Sequence, residues 1–246
     1  AGKALYQATR DILGTLSRFE MQIDDQKGLR TGQLRIAVVT TANYFAPRLI
    51  GRFTRDYPGI NISLEVGNRE QILDRMSNNM DDVYLVGKPP ESSELEFQPY
   101  LENPMVVVAR TDHARAGDES IPLADISKEP FIIREQGSGT RIVVEKLFAE
   151  AGHPLNIRME LGSNESIKQG ITGGLGIAVI SMHTLTGGDL SELTVLDVEG
   201  FPLSWQWYVG HPRGKRLSIV ARTFIDYMYE QGPSLLPENM SSYVSL

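Results

Sequence analysis

The stretch Glu135-Gln136-Gly137-Ser138-Gly139-Thr140-Arg141 has the residue types and spacing to hold an anion. It follows a short apolar run and opens a segment of helical pattern. Two glycines let the backbone turn tightly and present its N–H groups. A helix start adds positive potential, and Ser138 and Thr140 add hydroxyl donors, a combination suited to a carboxylate or a phosphate. The turn lacks the Lys-Ser/Thr ending of a nucleotide-binding P-loop and any G-x-G-x-x-G, which disfavours nucleotides. The same residues also suit an ordinary strand–helix connection capped by Thr140, and the sequence leaves both uses open.

Three further places share this chemistry. Thr40-Thr41-Ala42-Asn43-Tyr44 sets hydroxyls at another helix start, where capping is the commoner use of Thr and Asn. Lys88, in Gly87-Lys88-Pro89-Pro90, is a cation at the carboxyl end of a strand, where α/β crevices take ligands; by itself it would be a solvated charge. Ser181-Met182-His183-Thr184 follows a later strand and is expected to line the same cleft. Trp205 and Trp207 alternate on a strand and so share a face; packing is their ordinary use, although one could wall a ligand crevice. Catalysis finds little support. His113, His153, His183 and His211 show no metal-ligand spacing, and no G-x-S-x-G elbow is present. No metal and no cofactor is expected.

The elements that must carry these turns follow from hydrophobic periodicity. Strands are predicted at Gln33–Thr40, Asn61–Val66 and Val83–Val86, with helices from Asn43 to Tyr57 and from Asn68, as cap, through Met76. After a less regular stretch from Leu95 to Arg110, holding a strand at Pro104–Val108, the alternation restarts. Strands are predicted at Phe131–Arg134, Ile157–Leu161 and Ile177–Ile180, with helices at Thr140–Ala151 and Asn164–Ile171. Runs apolar throughout suit a parallel sheet covered on both faces. Two successive βαβαβ units imply two α/β subdomains. Strands at Leu193–Val198 and Leu203–Val209 and a helix at Leu217–Glu230 complete the chain before a frayed tail. The glycines of Gly173-Gly174-Leu175-Gly176 read as a helix end with close backbone approach.

At the front, Leu5, Ala8, Ile12, Leu16, Phe19 and Ile23 make one apolar stripe on a helix from residue 4 to 26. The Gly-containing connection at 27–32 favours pairing with a second copy over packing on its own domain. The absence of an initiator Met suggests a fragment or a processed chain.

Composition limits the function. With Lys+Arg 24 against Asp+Glu 31, the 246-residue chain carries a net charge of −7, so nucleic-acid binding by this chain alone is not expected. A local pocket can still hold a small anion. There is no cysteine, hence no disulfide or thiolate chemistry, which fits a cytoplasmic location. No window reaches the roughly 18 to 20 apolar residues of a membrane span.

The order of elements and several motifs resemble the regulatory part of LysR-type transcriptional regulators. The carrying residues are Gly32-Gln33-Leu34-Arg35-Ile36-Ala37, Phe45 to Ile50, Arg52 to Ile60, and Gly173 to Ile180, with Ser181 standing where the family commonly has Pro. Within the family, Thr40 to Pro47, Val83 to Pro90 and Phe131 to Arg141 are similar to the carbon-fixation branch, the CbbR/RbcR-like regulators and their cyanobacterial relatives that control inorganic-carbon uptake. The resemblance implies a periplasmic-binding-protein-like fold of type 2, with two α/β subdomains joined by two crossover strands and an N-terminal linker helix. Residues 1–28 would be the dimerising linker helix, 32–102 with 208–231 the first subdomain, 103–207 the second and 232–246 the tail. It implies a non-enzymatic sensor whose inter-subdomain cleft takes a small anionic metabolite: a phosphosugar, phosphoglycolate or 2-oxoglutarate. The expected effector residues are Thr40, Thr41, Asn43, Tyr44, Lys88, Glu135, Gln136, Gly137, Ser138, Gly139, Thr140, Arg141 and Ser181. It implies a homodimer, with a tetramer left open, and DNA contact only through a winged helix-turn-helix absent from this sequence. A solute-binding protein of a transport system shares the fold and is the alternative; the N-terminal apolar stripe argues against it.

Overall fold

The computed structural model describes residues 31–90, 95–186, 191–213 and 217–235, together with Gly2, Leu5, Thr9 and Ile12. The expected stripe positions Ala8, Leu16, Phe19 and Ile23 and most of the expected tail lie outside the described residues. Gly2, Leu5, Thr9 and Ile12 are helical, and the Thr9 hydroxyl donates to the Leu5 carbonyl at 2.8 Å. Among the described residues no helix is long and apolar enough to cross a membrane.

The first half builds β1 (Gly32–Val39), α1 (Ala46–Asp56), β2 (Ile60–Gly67), α2 (Arg69–Ser77), β3 (Val83–Val86) and β4 (Leu95–Glu102). A 3-10 turn, Thr40–Tyr44, separates β1 from α1, so the helix starts later than periodicity suggests, with Pro47 in its first turn. Asn68 caps α2 in a reciprocal box with Gln71. The second half contributes β5 (Met105–Arg110), the short α3 (Leu123–Ile126), β6 (Phe131–Arg134), α4 (Gly139–Glu150), β7 (Ile157–Leu161), α5 (Asn164–Thr172), β8 (Ala178–Ser181) and β9 (Leu193–Leu196). The chain then returns through β10 (Gln206–Pro212) and α6 (Ile219–Gln231).

The first sheet has the order β2-β1-β3-β10-β4. Its β1–β2 and β1–β3 pairs are parallel, and β10 runs antiparallel to both its neighbours. Its core joins Leu34, Ile36, Leu49, Phe53, Ile72 and Leu85 to Trp207 and Phe224. In the second half β5 sits between β8 and β9, antiparallel to both, while β6 and β7 are parallel. Alternation along β5 sends Met105, Val107 and Ala109 into a core with Phe131, Val144 and Phe148, and Val106 and Val108 into another with Ile132, Ile167 and Ile171. Burial on both faces therefore follows the apolar runs, but the first sheet is mixed and β8-β5-β9 is antiparallel, so only β6–β7 is purely parallel. The stretch read as irregular holds the edge strand β4, whose half-exposed pattern hides it. Gly176, at φ +148°, passes so close to the Pro130 carbonyl that a Cβ would overlap it.

Two crossovers join the halves and pair with each other. The Asn103 N–H donates to the Trp205 carbonyl at 2.7 Å, and Met105 and Leu203 exchange bonds of 3.1 and 2.9 Å. Beneath them, the Ser181 hydroxyl donates to the Asn103 side chain. His183 is buried, with its ring 4.3 Å from that of Trp207 and Nε2 2.8 Å from the Glu102 carbonyl. A carbonyl only accepts, so Nε2 carries the proton.

Burial pushes the His183 pKa down to about 4. Between roughly pH 6.5 and 4 the unfolded chain therefore binds a proton that the folded chain refuses, and stability falls as pH falls through that window. The expected share is about 3 kcal/mol, at about 1.4 kcal/mol per pKa unit. Urea unfolding at pH 7 and pH 4.5 should show this slope, and His183→Gln should flatten it. Equal slopes for the two proteins would contradict a neutral buried imidazole.

Candidate ligand-binding site

A cavity of about 340 Å³ opens where the carboxyl ends of β1 and β3 face the start of α4. One wall comes from Thr40 and Thr41 after β1, Asn68 and Arg69 at the start of α2, and Gly87 to Pro90 after β3. The other is Ser138, Gly139 and Thr140 with the apolar Ile142 and Val143. The crossovers close it with Asn103, Met105, Trp205 and Trp207. Parallel strands end together, so their turns collect at one sheet edge, where open α/β sheets take ligands.

The cavity holds cations without carboxylates. The Arg69 guanidinium donates to the Lys88 carbonyl at 3.2 Å. Burial holds its pKa below the ordinary guanidinium value. Among the described residues neither Arg69 nor Lys88 has an ion-pair partner. Opposite them, Ser138 is the N-cap of α4, yet its side chain makes no capping bond. The first N–H groups of α4 thus keep the unpaired character of a helix start. Gly139 passes Arg69 with room for no more than ordinary contact, a Cβ there falling 3.4 Å from the Arg69 Cδ. Gly137 has φ +80°, and a Cβ would overlap the Glu70 carboxylate.

Beside the cavity, hydrogen bonds cross from one half to the other. Arg134 at the end of β6 is buried. Its Nε and Nη2 donate to the two Glu135 carboxylate oxygens at 2.7 and 2.9 Å, and Nη1 donates to Asn164 Oδ1 at 2.8 Å. Nη1 and Nη2 both donate to the Thr40 hydroxyl at 3.3 Å. Asn68 Nδ2 donates to Glu135 Oε1 at 3.2 Å, and the Glu70 N–H donates to the Gly137 carbonyl at 3.1 Å. A second bridge runs from the Tyr44 hydroxyl to Glu165 Oε1 at 2.6 Å, and Glu165 also pairs with the buried Lys168 at 2.9 Å. Burial, with Glu165 alongside, raises the Tyr44 pKa well above the usual phenol value, so the hydroxyl remains a donor.

Of the residues that the sequence singles out, Thr40, Thr41, Lys88, Ser138, Gly139 and Thr140 come together around the cavity. Glu135, Gln136 and Gly137 lie in the bridging network; the Gln136 carbonyl accepts from Asn68 at 3.5 Å. Tyr44 reaches across to the other half away from the cavity, and Asn43 is exposed in its turn. Arg141 points to the acidic side chains of Glu145 and Glu160. Ser181 is fully buried beneath the crossover, behind Asn103. Sequence reasoning missed Arg69 and Asn103 and took Asn68 only as a cap. The signal for Asn68 and Arg69 was available: they follow β2 as Thr40 follows β1 and Lys88 follows β3.

Residues 27–233 match the LysR substrate binding domain family. The chain is 47% identical over 230 residues to the transcriptional activator CmpR of Synechocystis, covering 93% of this chain and 76% of CmpR. It is 43% identical over 242 residues to a RuBisCO operon transcriptional regulator of Acidithiobacillus ferrooxidans, covering 96% of this chain and 78% of that protein. Among solved structures, the Synechocystis CcmR regulatory domain in complex with 2-PG superposes with a TM-score of 0.79 at 53% identity, over 81% of this chain and 97% of that one. The effector-binding domain of QuiR, at 20% identity and a TM-score of 0.73, shares the fold alone. These relatives are named as regulators and not as enzymes or transport receptors, and the two-subdomain periplasmic-binding-protein-like fold is theirs as well. The chain belongs to the LysR substrate-binding domain family, and the relatives it resembles at 40% identity or more are named as transcription regulators, among them regulators of the RuBisCO operon.

Proposed function

We propose that this chain senses a short phosphorylated acid, with 2-phosphoglycolate the leading member, for a regulator of carbon-fixation genes in the cytoplasm. One observation carries the reading: Arg69 and the exposed Lys88 line a single cavity, have no carboxylate partners among the described residues, and share that cavity with a helix start bearing Ser138 and Thr140. In a chain of net charge −7, two such cations are matched by a ligand with more than one negative charge. At about 340 Å³ the cavity is at the small end of ligand pockets, which favours a short acid over a sugar bisphosphate. Between a phosphorylated acid and 2-oxoglutarate, the 2-PG bound to the CcmR domain supports the former. The ligand would touch both halves at once and so favour the closed arrangement over more open ones. DNA contact would fall to the part of the relatives that this chain does not span.

Calorimetry with 2-phosphoglycolate and with unphosphorylated glycolate tests the assignment. Arg69→Gln and Lys88→Ala are each expected to weaken 2-phosphoglycolate about tenfold or more, the usual cost of losing a charged hydrogen bond. Glycolate should lose less. Equal losses for the two ligands would leave Lys88 a surface charge and remove the phosphate from this wall.

We propose further that the N-terminal helix joins two copies. Leu5 and Ile12, seven residues apart on helical positions, are 70% and 68% exposed. Pairing the stripe would withdraw these side chains from water. Sedimentation should show a dimer for the chain and a monomer for Leu5→Asp/Ile12→Asp. A variant that stays dimeric places the seam elsewhere.

A further inference from the structure

The hydroxyls of Thr40 and Thr41 have their directions set from behind. A threonine hydroxyl offers one hydrogen and two lone pairs. The Thr40 oxygen receives two N–H groups from Arg134, each at 3.3 Å. A guanidinium has donors only, so the Thr40 oxygen can only accept from it and the hydroxyl hydrogen must point elsewhere. Arg134 is not free to turn away, because Glu135 grips two of its nitrogens and Asn164 accepts from Nη1. Thr41 is held in the same sense by a different group. Its oxygen receives the Trp207 indole N–H at 3.2 Å, and indole is also a donor only. Trp207 is fully buried, with its ring 4.9 Å from Phe45 and 4.3 Å from His183. Both threonines line the cavity, and among the described residues neither hydroxyl donates to a protein acceptor.

Building on the phosphorylated-acid reading, we propose that Arg134 and Trp207 are positioning residues that turn the hydroxyl hydrogens of Thr40 and Thr41 toward the cavity. The wall they form then presents two hydroxyl hydrogens to a ligand's acceptor oxygens, and an ionised phosphate or carboxylate oxygen is the stronger acceptor for them. Preference for a charged oxygen is thus reinforced by the side chains that orient the two hydroxyls.

The test is a cycle of variants titrated with 2-phosphoglycolate. Thr41→Val should weaken binding about tenfold, the typical loss for a donor to a charged group. Thr41→Ser should restore most of it, because serine keeps the hydroxyl. Trp207→Phe keeps an aromatic ring and removes the N–H, freeing the hydroxyl to turn; it should weaken binding by less than Thr41→Val. The double variant Thr41→Val/Trp207→Phe should bind no more weakly than Thr41→Val alone. Losses that multiply in the double variant would show that the indole acts only by shape and would overturn the proposal. If Trp207→Phe does not fold, the comparison of Thr41→Val with Thr41→Ser decides, and wild-type affinity in Thr41→Val overturns it. Failure of the underlying reading looks different. Wild-type protein that ignores 2-phosphoglycolate and binds 2-oxoglutarate would refute the phosphate, and the same cycle would then be run with 2-oxoglutarate.

Discussion

A guanidinium is buried where the two halves meet. The Arg134 side chain is almost wholly removed from water. An uncompensated buried charge of this kind costs about 3 to 5 kcal/mol, so its partners are obligatory. Glu135 and Asn164 supply three of its hydrogen bonds from its own half, and Thr40 supplies the rest from the other half. Arg134 is fully satisfied only when the carboxyl end of β1 stands against that of β6. That single requirement fixes where the two cavity walls lie relative to each other.

The remaining contacts extend this constraint and do not compete with it. Asn68 reaches Glu135, and the first turn of α2 donates to the Gly137 carbonyl, so the starts of α2 and α4 approach closely enough to frame a small cavity. Gly137 is glycine because its positive φ and the Glu70 side chain leave no room for a Cβ. Behind the cavity, the paired crossovers with Asn103, Ser181 and His183 form a short, well-bonded hinge. In the proposed reading, contact at one end and a hinge at the other make a clamp whose open and closed populations a bridging ligand would bias. Arg69 and Lys88, without ion-pair partners among the described residues, are the charges that the proposed ligand would answer.

Much of this was legible because strand ends and helix starts are written locally. The glycine-rich turn at 137–139, the hydroxyls of Thr40 and Thr41, and Lys88 after β3 are all read from type and position, and they converge because parallel strands finish at one edge. Strand direction was not legible. An apolar run such as Met105–Ala109 reports burial on both faces, and β5 is buried on both faces while pairing antiparallel with both neighbours. Arg141 and Arg69 exchange the roles that adjacency suggested. Arg141 belongs to the Gly-rich turn in sequence, but one helical turn places it against Glu145 and Glu160. Arg69 is 70 residues away from that turn's Gly139, and only the approach of the two halves brings it alongside. Ser181 ended a strand at the correct edge, yet the crossover covers it.

The central claim is that the cavity between the two halves receives the phosphate of a short acid on Arg69, Lys88 and the start of α4. A crystal structure of the chain grown with saturating 2-phosphoglycolate tests it most directly. The account predicts the phosphate within hydrogen-bond distance of Arg69 or Lys88 on one side and of Ser138 or Thr140 on the other, with the Arg134–Thr40 contact intact. A ligand bound elsewhere, or a phosphate in this cavity that contacts only one half, would contradict it.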